Sequence, residues 1–245
     1  MIQGFIAVYL REMIIVKRRF KRLVASMAVS PLLYLLAFSY AMGGEVKFNG
    51  FTYTEFLIPG LVAMSSMIQS FAIATDINVA RFYWGIFEEF QAAPIRNAAY
   101  VAGEVLAGMS RALIAIAVIL LMGLAFGVKL HYGPLLWLAA LLNSFVFASL
   151  AVALAMLVKS HADQSLLTSF VITPMAFLGG TFFPVERLPD WAQHILFFLP
   201  LTHASESIRA VAFGRVPDWQ AYAVLAAVGL FCFLLALKTV NKAKD

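Results

Sequence analysis

Long uncharged apolar runs alternate with short polar links along almost the whole chain. An α-helix needs about 20 mostly apolar residues to cross the hydrocarbon core of a bilayer. Six runs meet this length, and we place the spans at 23–44, 56–75, 101–128, 134–158, 164–183 and 219–238. The predicted fold class is therefore an all-α integral membrane protein with six transmembrane helices, forming one domain over residues 1–245.

Composition supports this fold class. Hydrophobic residues make up 62% of the 245 residues, charged residues make up 13%, and the mean hydropathy is +0.88. A soluble domain has about 45–50% apolar and about 25% charged residues, and one soluble core of this size does not hide so much apolar surface. The single cysteine, Cys232, lies in the last span, which excludes an internal disulfide framework and a thiolate metal site within one chain.

One apolar stretch is too short to cross a membrane. Residues 191–205 carry no formal charge, but the stretch is only 15 residues long and Pro200 interrupts it. We assign 184–206 as an outer re-entrant segment between spans five and six, a shape tolerated where protein covers the backbone. A surface loop containing an amphipathic helix is the alternative.

The distribution of basic residues predicts the orientation. Of the 18 lysines and arginines, twelve lie in the first segment, the 2–3 link, the 4–5 link and the tail, and five lie on the other side. The positive-inside rule then places both termini in the cytoplasm. The net charge of +5 is mostly this topology signal, so we expect no nucleic-acid partner.

The first 22 residues form an amphipathic pattern. At 3.6 residues per turn an apolar stripe falls within an arc of about 100°, formed by Ile2, Phe5, Ile6, Tyr9, Met13, Val16 and Phe20. The segment also carries the basic residues Arg11, Lys17, Arg18, Arg19, Lys21 and Arg22. This pattern is typical of an interface helix, 1–22, lying on anionic lipids. A basic anchor that only fixes the topology is the alternative.

The longest cytoplasmic link, between spans two and three, contains a short helix that ends at a proline. Pro94 disfavours helix at the residue before it, so the helix lies within 85–94. Phe87 and Phe90 lie beside Glu88 and Glu89, a combination suited to insertion into a groove on a partner. A helix whose aromatic rings rest on lipid is an equal alternative.

Charge inside the spans is scarce. Glu104 and Arg111 lie two helical turns apart on one face of span three. Arg111 is shallow enough to snorkel to the interface, or to pair with Glu104 or with Asp76 at the end of span two. We favour a structural pair over a role in a transport pathway.

Catalytic signatures are missing from the sequence. There is no G-x-x-x-x-G-K-[ST] phosphate loop, no H-E-x-x-H and no G-x-S-x-G. The four histidines lie on three different links without a cysteine or acid that completes a site, so we predict neither catalytic residues nor a metal site.

Four stretches resemble one family. They are Phe-Thr-Tyr-Thr-Glu-Phe-Leu-Ile-Pro-Gly-Leu at 51–61, Glu88-Glu89 followed by Ala93-Pro94-Ile95, Thr-Pro-Met-Ala-Phe-Leu-Gly-Gly-Thr-Phe-Phe-Pro at 173–184, and Leu188-Pro189-Asp190-Trp191 leading to Leu199-Pro200, His203 and Arg209. In this order they resemble the ABC-2 type permeases of bacterial ABC exporters, the group that includes nodulation-factor, daunorubicin-type and polysaccharide export permeases. The likeness covers essentially the whole chain.

The resemblance implies a role for each unusual segment. Residues 85–94 look like the coupling helix that docks on the ATPase subunit, with Phe87, Glu88, Glu89, Phe90, Pro94 and Arg96 as docking residues. The outer hairpin looks like the element that closes the pathway, with Gly179, Gly180, Phe183, Pro184 and Pro200 as an outer gate.

The resemblance also implies partners. Six spans are half of a transporter, so a homodimer, or a heterodimer with a related permease, is implied together with two copies of an ABC ATPase subunit that binds ATP and magnesium. This chain itself is expected to hold no cofactor and to reside in the bacterial inner membrane. The expected cargo is amphipathic or lipid-linked: a glycan, a lipid or a drug.

Two other classes stay open. A transporter or channel that works without ATP needs charge on its pathway, and Arg111 is the only candidate. A membrane enzyme acting on a lipid needs clustered acids or histidines, for which the candidates are Glu186, Asp190, His194, His203 and Glu206.

Overall fold

The computed structural model of the protein describes residues 2–42, 47–48, 50–93 and 95–243. Almost all of these residues are helical. The elements in chain order are α1 (Ile2–Arg18), α2 (Phe20–Met42), β1 (Lys47–Phe48), β2 (Phe51–Thr52), α3 (Tyr53–Phe71), α4 (Ile73–Phe82), α5 (Ile86–Ala92), α6 (Asn97–Ala125), α7 (Pro134–Leu157), α8 (His161–Leu167), a π-helical segment (Thr168–Ile172), α9 (Thr173–Leu178), a 3-10 turn (Val185–Arg187), α10 (Asp190–Phe197), α11 (Pro200–Ala212) and α12 (Trp219–Lys242). The two short strands pair antiparallel, a hairpin that the sequence did not predict.

Among the residues that the structure describes, five helices are long and apolar enough to cross a membrane: Phe20–Ser39, Tyr53–Phe82, Asn97–Ala125, Pro134–Leu157 and Trp219–Lys242. The second of these joins α3 and α4, and is longer than the predicted span at 56–75. The predicted fifth span, 164–183, is helical only as far as Leu178 and in three pieces. The count of six spans stays a prediction.

The broken fifth segment has a local cause. Pro174 has no amide N–H, and its partner four residues earlier, Phe170, lies inside the π-helical segment. Thr173 donates its hydroxyl to the Thr168 carbonyl at 3.1 Å, across the wide turn. The helix therefore continues past the proline as a bulge.

Helix α3 lies at the centre of the bundle and most of its side chains are buried. A capping box starts it: the Thr52 hydroxyl accepts from the Glu55 amide, and the Glu55 carboxylate accepts from the Thr52 amide at 2.7 Å. Its opposite end continues through α4 to α5. We call the end of the bundle that carries α5 the docking end, and the end that carries α10 and α11 the far end.

Two glycines show how closely helices approach their neighbours in this packing. A Cβ added at Gly60 of α3 would lie 2.4 Å from the Thr181 carbonyl oxygen, so α3 meets the chain after α9 backbone to backbone. A Cβ added at Gly103 of α6 would lie 2.8 Å from Val8, so α1 rests directly on α6. The amphipathic first helix is therefore packed on the bundle along one side.

Candidate functional site

Helix α5 is held between two backbone breaks. Gly85 before it has a left-handed φ of 63°, which glycine adopts without steric cost. Ala93 after it is extended, as expected for a residue that precedes a proline. Pro94 itself lies outside the described residues, as does the side chain of Glu88.

The two phenylalanines of α5 face the protein. The Phe87 ring is buried and lies 5.8 Å from the Tyr100 ring of α6, and the half-buried Phe90 ring lies 5.4 Å from the same tyrosine. The sequence analysis expected both rings to point outward into a partner. In the structure they attach α5 to α6 instead, so their expected orientation is corrected.

Two arginines complete this attachment, and we call Arg11 and Arg81 the arginine clamp. The Arg11 guanidinium lies 5.6 Å from the centroid of the Phe90 ring, and the Arg81 guanidinium lies 5.7 Å from that of Phe87, both within cation–π range. Arg81 also donates to the carbonyls of Ala155 and Met156 at 3.2 and 3.1 Å. These carbonyls end α7, where a cation is favourable. The clamp thus links α5 to α1 and to α7.

The exposed surface at the docking end comes from residues just before α5. Tyr83 is 69% exposed and Trp84 is 55% exposed, and the Glu89 side chain of α5 is also exposed. The sequence analysis passed over Tyr83 and Trp84, although the glycine that follows them was a signal for a reversal of the chain. Arg96 is exposed and forms the N-cap position of α6.

Helix α1 has two apolar faces. Val8 and Glu12 are buried against the bundle, whereas Ile6, Leu10 and Ile14 form an exposed row. Arg11 and Glu12 form an ion pair at 2.5 Å. Burial raises the pKa of the Glu12 carboxyl, and Arg11 opposes this shift. The other basic residues assigned to the interface helix are all exposed: Lys17, Arg18, Arg19, Lys21 and Arg22.

The charged groups of α6 have different surroundings. Arg111 pairs with Asp76 of α4, which was one of the partners considered from sequence. Glu104 is 1% exposed, and its Oε2 atom has no hydrogen-bond partner among the described residues. Nearby, the Tyr9 and Ser110 hydroxyls are 3.1 Å apart, a further tie between α1 and α6.

At the far end, the turn after α9 is bound on both sides. Gly180 has a φ of 79°. The Gly179 carbonyl accepts the Ser205 hydroxyl at 2.7 Å, and the Gly180 carbonyl accepts an N–H of Arg209 at 2.6 Å. Tyr53 donates its hydroxyl to the Phe182 carbonyl at 2.8 Å. The turn is therefore fastened to α3 and to α11.

Arg209 is the functional candidate that sequence reasoning missed. Its guanidinium lies 3.9 Å from the centroid of the Phe56 ring, besides its bond to Gly180. Desolvation by burial lowers the pKa of Arg209 to about 10. In the sequence it was only the last residue of a resembling stretch, because an arginine in an outer link has no pattern of its own.

The other residues assigned to the outer gate lie between the turn after α9 and the start of α11. Phe183 is partly buried against the core, Pro184 precedes the 3-10 turn, and Pro200 begins α11. Helices α10 and α11 are separated by a break at 198–199. How deeply this pair enters a membrane stays a prediction.

A search of the described ranges finds no group of three or more histidine, cysteine, aspartate or glutamate side chains placed to hold a metal ion.

Within the described residues, five long apolar helices, one of which contains the buried α3, define the class as a multi-pass α-helical membrane protein. The family model of the ABC-2 type transporter matches residues 3–213. The chain therefore belongs to the ABC-2 type transporter family, as the resemblance predicted.

The similar proteins are transport permeases and nodulation proteins. The daunorubicin resistance ABC transporter permease protein DrrB1 of Streptomyces coeruleorubidus is 28% identical, over 80% of this chain and 70% of its own. The inner membrane transport permease YadH of Escherichia coli K12 is 26% identical, over 92% and 91%. Nodulation protein J of Rhizobium leguminosarum bv. trifolii is 30% identical, over 96% and 89%. The class of this chain is thus a membrane transport permease.

Proposed function

We propose that this chain is the membrane subunit of an ATP-driven exporter in the bacterial inner membrane, with two copies of a separate ABC ATPase bound at the docking end. Both termini are cytoplasmic, and residues 161–178 form the fifth span in chain order, which brings the number of spans to six. The observation that carries the proposal is the exposed Tyr83–Trp84–Glu89 surface mounted on the arginine clamp. A force applied to α5 there reaches α1 and α7 through side chains already in contact.

A second copy of the chain, or a related permease, forms the other half of the transporter. Supporting this, the fifth segment exposes a row of large apolar side chains, and few elements pack against it. The row consists of Leu166, Phe170, Val171, Phe177 and Leu178. A partner permease covers this row, and lipid covers what remains. The cargo is an amphipathic or lipid-linked molecule that passes between the two halves.

The basic residues around the junction of α1 and α2 bind anionic lipid in this arrangement. Lys17, Arg18, Arg19, Lys21 and Arg22 are exposed beside the apolar row of α1, as an interface helix requires. The alternative of a transporter or channel that works without ATP has less support, because Arg111 pairs with Asp76 and is not a free charge on a pathway.

The docking surface is tested by a Tyr83→Ala/Trp84→Ala variant. Exposed aromatic anchors dominate many interfaces, and losing one costs about 2 kcal/mol or more, so we expect at least a tenfold loss of the ATPase that co-purifies from the native host in mild detergent. Reversal of Glu88 and Glu89 to lysine tests the acidic part of the same surface. Membrane insertion and thermal unfolding are expected to stay unchanged.

The matched control is Trp191→Ala/Phe198→Ala, which removes two exposed aromatic rings from the far end. It is expected to keep the ATPase. Normal recovery of a stoichiometric ATPase with the docking variants would show that the docking surface lies elsewhere. Purification of the wild-type chain without any ATPase would contradict the exporter proposal itself.

A further inference from the structure

Two cavities open side by side at the far end. The first, of about 480 Å³, is lined by α10, α11 and the start of α12. The second, also of about 480 Å³, is lined by α11, the 3-10 turn and Phe56. They share Glu186, Glu206 and Ala210 as a common wall. Each has the size of a small-ligand pocket, and the shared wall brings both within reach of one ligand.

The two cavities carry opposite charges. Asp218, His194 and His203 line the first in addition to the shared carboxylates, and Arg187, Arg209 and Arg215 line the second. Within the described part of the chain, no ion pair joins Glu186 or Glu206 to Arg209 or Arg215. Carboxylates and the guanidinium groups of Arg209 and Arg215 therefore line adjoining cavities without a direct ion pair between them among the described residues.

Buried polar groups along these cavities also lack partners. Thr202 is 3% exposed and Ser207 is 2% exposed, both line the first cavity, and neither hydroxyl oxygen has a hydrogen-bond partner among the described residues. The Nε atom of Arg209 is also buried and has no hydrogen-bond partner among the described residues. Buried polar atoms of native proteins are usually paired with protein, water or ligand. Three such atoms around two adjoining cavities point to polar atoms of a bound molecule.

The electrostatics of the shared wall favour a cation on one side. Burial, and then the negative charge of Glu186, raise the pKa of the Glu206 carboxyl, Arg209 opposes the shift, and Asp218 adds to it. The carboxylates of the first cavity therefore repel each other, and an ammonium group placed among them relieves that repulsion.

The surroundings place the cavities at the level of lipid headgroups. Trp191 and Phe197 of α10, Phe198 directly after α10 and Trp219 at the start of α12 are all exposed large aromatic side chains. Tryptophan is enriched at the interface between the hydrocarbon and water in membrane proteins, so Trp191 and Trp219 favour this level for the cavities. A molecule that reaches these cavities from the bilayer presents its headgroup first.

We propose that the two cavities form one site for a zwitterionic headgroup, with its phosphate against Arg209 and Arg215 and its ammonium group against Glu206 and Asp218. Guanidinium groups bind phosphate through charge-assisted hydrogen bonds, and the carboxylates supply the opposite charge. A phospholipid of the bilayer and a transported amphiphile with the same headgroup share this chemistry. We call the two cavities together the bipolar site.

The test measures lipid retention by the purified chain in native mass spectrometry, after exchange into an equimolar mixture of phosphatidylethanolamine and phosphatidylglycerol. Wild type is expected to retain phosphatidylethanolamine at least tenfold better than phosphatidylglycerol. A Glu206→Gln/Asp218→Asn variant removes the ammonium end and is expected to lose this preference while keeping phosphatidylglycerol. Asparagine at 218 keeps the helix cap, since Asp218 accepts from the Gln220 amide.

The phosphate end is tested by Arg215→Gln, which is expected to weaken retention of both lipids several-fold. Asp163→Asn neutralises a carboxylate away from the far end and is the control expected to leave the retention of both lipids unchanged. Equal retention of the two lipids by wild type, or an unchanged preference in Glu206→Gln/Asp218→Asn with an unchanged thermal unfolding transition, would overturn the bipolar site.

A second arm separates the two sources of the headgroup. It uses the complex with the ATPase, and so it rests on the proposed function, whereas the binding test above does not. Phosphatidylethanolamine that stays bound during ATP hydrolysis is a resident lipid of the site. Phosphatidylethanolamine that is released in an ATP-dependent way occupies the site as a transported headgroup.

Discussion

Replacing Arg81 with glutamine is expected to free α5 from the bundle. The substitution removes the guanidinium from the Phe87 ring and from the two carbonyls at the end of α7. A cation–π contact contributes about 0.5–2 kcal/mol, and hydrogen bonds to a charged group contribute about 1.5–3 kcal/mol. A loss of about 2 kcal/mol corresponds to a roughly 30-fold rise in the population of the opened helix.

Hydrogen exchange measured by mass spectrometry on the full chain reports this opening. Amides of α5 are expected to exchange at least tenfold faster in Arg81→Gln, and those of α12 at the wild-type rate. Arg81→Lys is the matched control: it keeps the charge and one donor to the α7 carbonyls, but loses the planar stacking, so an intermediate effect is expected. Equal exchange in all three proteins would show that the clamp does not hold α5.

Replacing Gly60 with valine is expected to prevent the native packing of α3. The first added carbon would lie 2.4 Å from the Thr181 carbonyl oxygen and 2.9 Å from the Thr181 Cα, and backbone atoms cannot turn aside. Overpacking of this kind costs about 1–3 kcal/mol and occasionally more. The turn at 179–184, which is fastened to α3 and α11, would have to move as a unit.

Thermal unfolding and size-exclusion chromatography in detergent measure this cost. Gly60→Val is expected to lose most of the monodisperse protein, and Gly60→Ala to lower the unfolding temperature by several degrees. Gly123→Ala is the control, because its added carbon meets only the flexible side chain of Ile58 at 3.3 Å. An unfolding temperature for Gly60→Ala equal to that of Gly123→Ala would refute the close approach.

Much of the bundle could be predicted because charge marks the ends of the spans. The run at 134–158 lies between polar links, and α7 is Pro134–Leu157. The run at 164–183 gave no sign of its interruption, since uncharged residues fill it and a proline alone does not fix where the wide turn falls. The predicted start of span one at residue 23 falls inside α2, which begins at Phe20. A helix continues through basic residues that a hydropathy reading treats as a boundary.

The surroundings of the candidate site residues were harder to predict than the spans. An apolar stripe on α1 does not show whether that face contacts lipid or α6. The burial of Glu12 could not be predicted from hydropathy, because hydropathy places a carboxylate on the exposed face. The rings of Phe87 and Phe90 were assigned to a partner because Tyr100, their actual neighbour, lies on a different helix. Arg209 contacts Phe56 of α3 and Gly180 in the turn after α9, so its environment depends on the packing of these two segments. The orientation of α1, the positions of the Phe87 and Phe90 rings, and the surroundings of Arg209 all depend on contacts between segments that are distant in the sequence.

The burial of α1 against α6 has a consequence for how the protein is made. The Tyr9 and Ser110 hydroxyls that meet in the finished molecule are 101 residues apart in the chain, and Val8 lies against Gly103 of α6. Since α1 precedes α6 in the chain, it is synthesised before the helix that covers it in the finished molecule. The packing of α1 on α6 therefore forms only after α6 has been made, and until then the carboxyl side chain of Glu12, which is buried in the finished molecule, lacks that cover.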